Sequence, residues 1–179
     1  MEDEILLPSS GGSWWEDQVF GVSCNGELLE LPPHLNFHES MQEVMWTPLE
    51  RLGQDGQLET YDPMNPNWGK SGQLWFEVRR HLPLRVGGMP SGPLFLHIAC
   101  RTKRTSLDFY HGVDAFFFWE GVFVTIDVSL LEKAEPKADF LVTPREMEPE
   151  RLGSFGNEIA QLLKEGRRKK QKTTRKKVL

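Results

Sequence analysis

The stretch HGVDAFFFWEGVFVTIDVS, residues 111 to 129, constrains the fold more than any other part of this chain. Two short runs of aromatic and β-branched residues flank Glu120-Gly121, the pattern of two strands joined by a tight turn. With Glu120-Gly121 as the central pair of a two-residue turn, Trp119 faces Val122, Phe118 faces Phe123, Phe116 faces Thr125 and Asp114 faces Asp127. Directly opposed side chains have Cβ atoms only about 4.5–5.5 Å apart, and like charges there are destabilising. A slip of one residue would send one carboxylate to the other face, so the expectation depends on this turn. Three arrangements relieve the repulsion: a carboxyl that keeps its proton, a basic side chain between the two, or a divalent metal held by both. A purely structural arrangement stands beside them, in which each aspartate caps a helix or pairs with Arg79, Arg80 or Arg101.

The rest of the chain supplies a core around this hairpin. SGQLWFEVRRHL predicts a helix capped by Ser71, with Leu74, Trp75, Val78 and Leu82 at helical spacing. LFLHIACRT, VFVTIDVSLL and ADFLVT have strand character, and VGGMPSGP reads as a loop. A final amphipathic helix is expected from about Ser154, with Phe155, Ile159, Leu162 and Leu163 as its apolar stripe. This order predicts an α+β fold, an α/β sandwich with one mixed sheet of about four strands flanked by helices. The core spans 71 to 165, after an irregular, turn-rich extension over 1 to 70. Within that extension QVFGVSCNGELLEL predicts a short hairpin turning at Asn25-Gly26, and HESMQEVMWTPLERL a helix interrupted at Pro48.

Charge divides the chain unevenly. Residues 164 to 179 hold nine Lys or Arg against one Glu, a local charge of +8, while the remainder carries −13. A block of like charge does not bury itself, so 166 to 179 is expected to be a disordered basic tail. Arg167, Arg168, Lys169, Lys170, Lys172, Arg175, Lys176 and Lys177 suit a polyanion, nucleic acid above all, because each phosphate contact releases counterions. A localisation signal and an intramolecular partner for the acidic body are the alternatives. The acidic start MEDEILLPSS and the absence of a long apolar run point to an intracellular protein off the membrane. Cys24 and Cys100, far apart and without CxxC spacing, read as plain thiols.

Gly112-Val113-Asp114 on one strand and Ile126-Asp127-Val128-Ser129 on the next resemble the motif of the PD-(D/E)XK nuclease-like superfamily. The resemblance covers roughly residues 71 to 165, including the later strand and the C-terminal helix. It implies metal-dependent hydrolysis of DNA or RNA phosphodiesters, with Asp114 and Asp127 holding Mg²⁺ or Mn²⁺. Ser129 stands where the family has its lysine. Lys137 is the first candidate for a displaced catalytic lysine and Lys133 the second. Glu77 would add a third carboxylate, and His111 would position a phosphate or water. The competing reading is a non-catalytic nucleic-acid-binding or assembly protein that uses its tail for nucleic acid and its acidic body for protein partners. His34 and His38 share a metal-like spacing with no third ligand nearby, and His97 in its apolar run reads as a core histidine.

Overall fold

The computed structural model describes residues 11–22, 31–101, 103–133 and 135–177. Its helices are α1 (Gly11–Phe20), α2 (Phe37–Trp46), α3 (Ser71–Arg80), α4 (Ser106–His111) and α5 (Pro149–Lys177). The strands are β1 (Glu50–Leu52), β2 (Leu58–Thr60), β3 (Arg85–Val86), β4 (Met89–Pro90), β5 (Phe95–Ile98), β6 (Ala115–Trp119), β7 (Val122–Val128) and β8 (Phe140–Val142). The fold is α+β. A four-stranded sheet in the order β5-β6-β7-β8 forms its centre, antiparallel except where β8 runs parallel to β7. Two small hairpins, β1-β2 and β3-β4, lie outside it.

The β6-β7 hairpin has the register expected from its turn: Trp119 pairs with Val122, Phe118 with Phe123, and Phe116 with Thr125. Glu120 and Gly121 both have positive φ, +50° and +76°. Two such residues make the turn whose twist matches the flanking strands. Glycine adopts this conformation freely, whereas Glu120 is held there by its side chain. Its Oε1 accepts from Gly92 N at 2.6 Å and its Oε2 pairs with Arg167 Nε at 3.5 Å.

Alternation along these strands builds two cores. On one face Leu96, Ile98, Ala115, Phe117, Trp119, Val124 and Ile126 pack with Trp15 and Val19 of α1, Leu74 and Val78 of α3, and Phe155, Ile159 and Leu163 of α5. The other face buries Phe116 and Val113 against Met41 and Val44 of α2 and Leu107 of α4. Buried Arg101 ties these layers together by donating to the carbonyls of Ile98, Val44 and Thr47 at 3.0, 3.0 and 2.8 Å. It pairs with neither aspartate. Arg80 pairs instead with Glu77, at 2.8 Å.

His97 is stacked between Phe95 and Phe116, with ring centroids 5.7 and 5.1 Å away. Burial, and secondly the charge of Arg101, lowers its pKa to about 4. The folded pKa lies below the unfolded value near 6.5, so its stabilising contribution is complete above pH 6.5 and lost as pH falls towards 4. A His97→Gln protein is expected to lack roughly 3 kcal/mol of that acid-side decline in urea unfolding between those pH values. An unchanged slope would show that His97 does not titrate on unfolding.

Several local expectations give way to tertiary context. Gln18 to Phe20, read as the start of a hairpin, end α1, because Trp15 and Val19 at helical spacing are both buried on the sheet. The Asn25-Gly26 turn and Cys24 lie outside the described residues. Ser71 is the first residue of α3 rather than its cap, and its hydroxyl donates to Trp68 O. The VGGMPSGP loop contains the β3-β4 hairpin.

The basic segment is not a separate disordered tail: it continues α5, which runs unbroken for 29 residues to Lys177. Lys, Arg and Gln are good helix formers, and a helix already nucleated on the core extends at little cost. Close docking holds it. A Cβ on Gly156 would sit 2.6 Å from Glu77 Cβ, so α3 and α5 touch backbone to backbone there. Among the described residues no helix is long and apolar enough to cross a membrane.

Candidate functional site

The site lies at the end of the hairpin opposite its turn. Regular β6-β7 pairing stops at Ala115 and Ile126. Beyond it Asp114 N donates to Ile126 O at 2.9 Å, and Asp114 Oδ2 accepts from Val128 N at 2.6 Å. The aspartate side chain thus takes the place of a ladder carbonyl where the strand pairing runs out. It is buried to 6% exposure, and Asp127 beside it to 5%.

Two of the three ways of relieving the paired charge occur together. Burial raises the Asp114 pKa well above the usual carboxylate range. The Val128 N–H opposes this, while the negative charges of Glu16, Asp108 and Asp127 add to it. Asp127 is met by a cation instead: Lys133 Nζ donates to both of its oxygens, at 2.8 and 2.6 Å. Ser129, standing where the motif lysine belongs, accepts from Leu131 N at 3.3 Å. That local turn bends the chain after β7 and returns Lys133 six residues later to Asp127.

Lys137 takes a different place. Its side chain crosses Gly112, the left-handed residue that ends α4. A Cβ on Gly112 would lie 2.7 Å from Lys137 Cδ and 3.6 Å from its Nζ. Of the two lysines, Lys133 is the one in contact with Asp127, and Lys137 lies across Gly112.

Glu77 and His111 are not brought to this site. Glu77 sits where α3 meets α5, against Gly153 and Gly156, in its pair with Arg80. His111 ends α4 rather than opening a strand; its Nε2 lies 3.1 Å from Leu35 O and its ring meets Phe37 edge-on at 5.4 Å. Packing sends both side chains away from the aspartates. His34 and His38 likewise do not converge: His34 packs edge-on against Tyr110, and His38 contacts Gln42.

Two acidic residues enter that sequence reasoning missed: Glu16 of α1 and Asp108 of α4, whose charges reach Asp114. Nothing in the sequence marks Glu16. Asp108 was legible through Thr105-Ser106-Leu107-Asp108, an N-cap pattern that announces α4, and Thr105 does accept from Asp108 N.

Of the residues read as a nucleic-acid-binding tail, Arg167 pairs with Glu120 and lies over the Trp119 ring at 5.9 Å. Lys170 donates to Gly121 O. Both attach α5 to the hairpin turn. Arg168 and Lys169 are exposed. Lys172, Arg175, Lys176 and Lys177 belong to the last turns of the helix.

The donor set suits a hard cation. Two carboxylates, completed by waters and substrate phosphate, are the usual protein share of a magnesium site. Asp114 and Asp127 are the two buried carboxylates at this end of the sheet that would hold such a cation. Among the described residues no group of three or more His, Cys, Asp or Glu is close enough to cage a metal by itself. Oxygen donors without sulfur or imidazole favour magnesium or manganese over zinc.

Comparison with protein-family models, with curated protein sequences and with solved structures finds no match to this chain.

Proposed function

We propose that this chain is a metal-dependent phosphodiesterase of the PD-(D/E)XK nuclease-like kind, acting on nucleic acid. The observation that carries this reading is the contact of Lys133 Nζ with both oxygens of Asp127, beside Asp114. The resemblance lacks its lysine at Ser129, and Lys133 brings a lysine to the second carboxylate by another route.

In hydrolysis a water oxygen bonds to phosphorus, the bond to the leaving sugar oxygen breaks, and that oxygen takes up a proton. Asp114 and Asp127 would hold Mg²⁺ or Mn²⁺, which supplies an acidified water and neutralises developing charge. The remaining work falls to the chain. Lys133 is oriented by Asp127 so that its ammonium meets the phosphate's non-bridging oxygens as negative charge builds on them. Asp114, bonded to Val128 N, fixes the end of β7 and with it the position of Asp127. Asp139 holds the strand from the other side: its Oδ2 accepts from Thr125 N and Oγ1, both at 2.8 Å.

The test is calorimetric titration of Mg²⁺ and Mn²⁺ into the wild type and the Asp114→Asn and Asp127→Asn proteins, beside a plasmid-nicking assay. Metal binding and nicking are expected in the wild type, with both lost in Asp127→Asn while its fold persists. Nicking at the wild-type rate by Asp127→Asn protein overturns the proposal. No nicking and no metal uptake by the wild type would leave the basic helix as the functional feature, and would favour a non-catalytic binding protein.

A further inference from the structure

We infer that the end of α5, from Arg167 to Lys177, is a stiff basic arm that grips the backbone of duplex nucleic acid about five base pairs from the phosphate presented to Asp127 and Lys133. The spacing rests on the phosphodiesterase reading for its second anchor point; the grip does not.

The arm is stiff because it is the continuation of a buried helix. The first half of α5 is sealed into the core through Phe155, Ile159, Ala160 and Leu163. Its course then runs onto the hairpin: a Cβ at Gly166 would lie 2.6 Å from Val122 Cγ1, so the helix backbone rests on the start of β7. Arg167 is tied to Glu120 and Lys170 to Gly121 O, at the turn itself. These contacts at Gly166, Arg167 and Lys170 bracket the exposed residues Arg168 and Lys169. A basic segment carried on such a mount has a fixed position relative to the sheet, which a disordered tail lacks.

That position is at the turn end of the hairpin, and the candidate site is at the other. β7 runs from Val122 beside the turn to Val128, and Asp127 is its penultimate residue. Five residue steps at about 3.4 Å separate Val122 from Asp127 by roughly 17 Å. Phosphates on one strand of B-form DNA advance about 3.4 Å per base pair along the axis, so the separation corresponds to about five base pairs.

Charge decides which end holds the substrate. The body excluding residues 164 to 179 carries −13, and the charges of Glu16, Asp108 and Asp127 reach Asp114 at the site end. A body of that net charge repels phosphate. Affinity must therefore reside on the arm, which holds eight Lys or Arg and no acidic residue over 167 to 177. A flexible single strand would gather on the arm and avoid the acidic end. A duplex, stiff over roughly 150 base pairs, is carried straight across the body once one end is gripped.

The experiment uses the full chain and two variants, Arg168→Gln/Lys169→Gln/Lys172→Gln and Arg175→Gln/Lys176→Gln/Lys177→Gln. Gln preserves helix propensity. Binding of a fluorescein-labelled duplex of about 24 base pairs is measured by anisotropy in EDTA across a salt series. Cut positions are then mapped on the same duplex with Mg²⁺ or Mn²⁺. The expected results are at least tenfold weaker binding by each variant, and a salt slope lowered by about one per residue replaced. Cuts by the wild type should come no closer than about five base pairs to the duplex end on the arm side. Variants that bind and cut as the wild type does overturn the inference, as do cuts running up to both ends. Displacement of the duplex by polyglutamate of equal charge also overturns it, in favour of an acidic protein partner. Arm-dependent duplex binding with no cleavage by the wild type in any metal supports the grip and refutes the phosphodiesterase reading.

Discussion

On the phosphodiesterase reading proposed above, Lys133→Met protein is expected to cleave phosphodiesters about 100- to 1,000-fold more slowly than the wild type, with duplex affinity unchanged. The Lys133 ammonium reaches both oxygens of Asp127. Removing a preorganised charge from a developing anion usually costs two to three orders of magnitude in turnover, because no solvent reorganisation replaces it in time. Methionine keeps the length and flexibility of the side chain and deletes only the charge. Lys133 is 44% exposed but Asp127 is buried, so the variant leaves that carboxylate without its cation and should be less stable than the wild type; rates are compared where both proteins are folded. Lys137→Met is the paired control. Its side chain crosses Gly112 rather than meeting Asp127, so its turnover should fall less than tenfold. Single-turnover rates on a labelled duplex with saturating metal separate the two variants. A larger loss for Lys137→Met than for Lys133→Met would reverse the assignment.

Asp114→Ala and Asp114→Asn should differ in stability although both remove the same charge. In the wild type Asp114 Oδ2 is the acceptor for Val128 N, in a place where only 6% of the residue is exposed. Alanine leaves that buried N–H without a partner, at a cost of about 1–3 kcal/mol. Asparagine keeps an oxygen acceptor and carries no charge for burial to penalise. It should therefore be at least as stable as the wild type at neutral pH.

The pH dependence has a definite sign. Asp114 has a folded pKa raised above its unfolded value near 3.9, from burial first and then from the charges of Glu16, Asp108 and Asp127. The folded state holds this proton more tightly than the unfolded chain does. Its contribution is complete below the unfolded pKa and is lost as pH rises through the folded one. Wild-type stability measured relative to Asp114→Asn should accordingly fall as pH rises from about 4, then level off above the folded pKa. This trend runs opposite to that of His97, whose contribution is lost on acidification, so the two variants resolve the two groups. A difference between wild type and Asp114→Asn that stays flat with pH would mean that Asp114 titrates alike in both states.

The hairpin and its acid pair were legible because the information is local. A Gly-containing two-residue turn and the period-two alternation of Phe116, Phe118, Phe123 and Thr125 together admit one register, and that register is the one found. Helix α2 was legible for the same reason, through its run of periodic residues and the stop before Pro48. Helix α1 was not. Gln18 to Phe20 are as compatible with a strand as with a helix, and burial of Trp15 and Val19 on the sheet decided the matter.

The basic segment was misjudged on a sound local rule. Like charges repel and do not bury, yet these residues need not bury to be ordered when the helix leading into them is already docked. Gly166 against Val122 and Arg167 against Glu120 are contacts between positions more than forty residues apart. No window of sequence contains both partners.

By itself the sequence determined the α+β class, the hairpin register and the presence of two aspartates at one end of it, since each follows from residue spacing within about twenty positions. Only the tertiary structure decided which lysine meets them, which further acids press on Asp114, and that the basic segment is a mounted helix. Those outcomes depend on how loops return and where helices dock, and such long-range geometry is chosen by packing rather than by local preference.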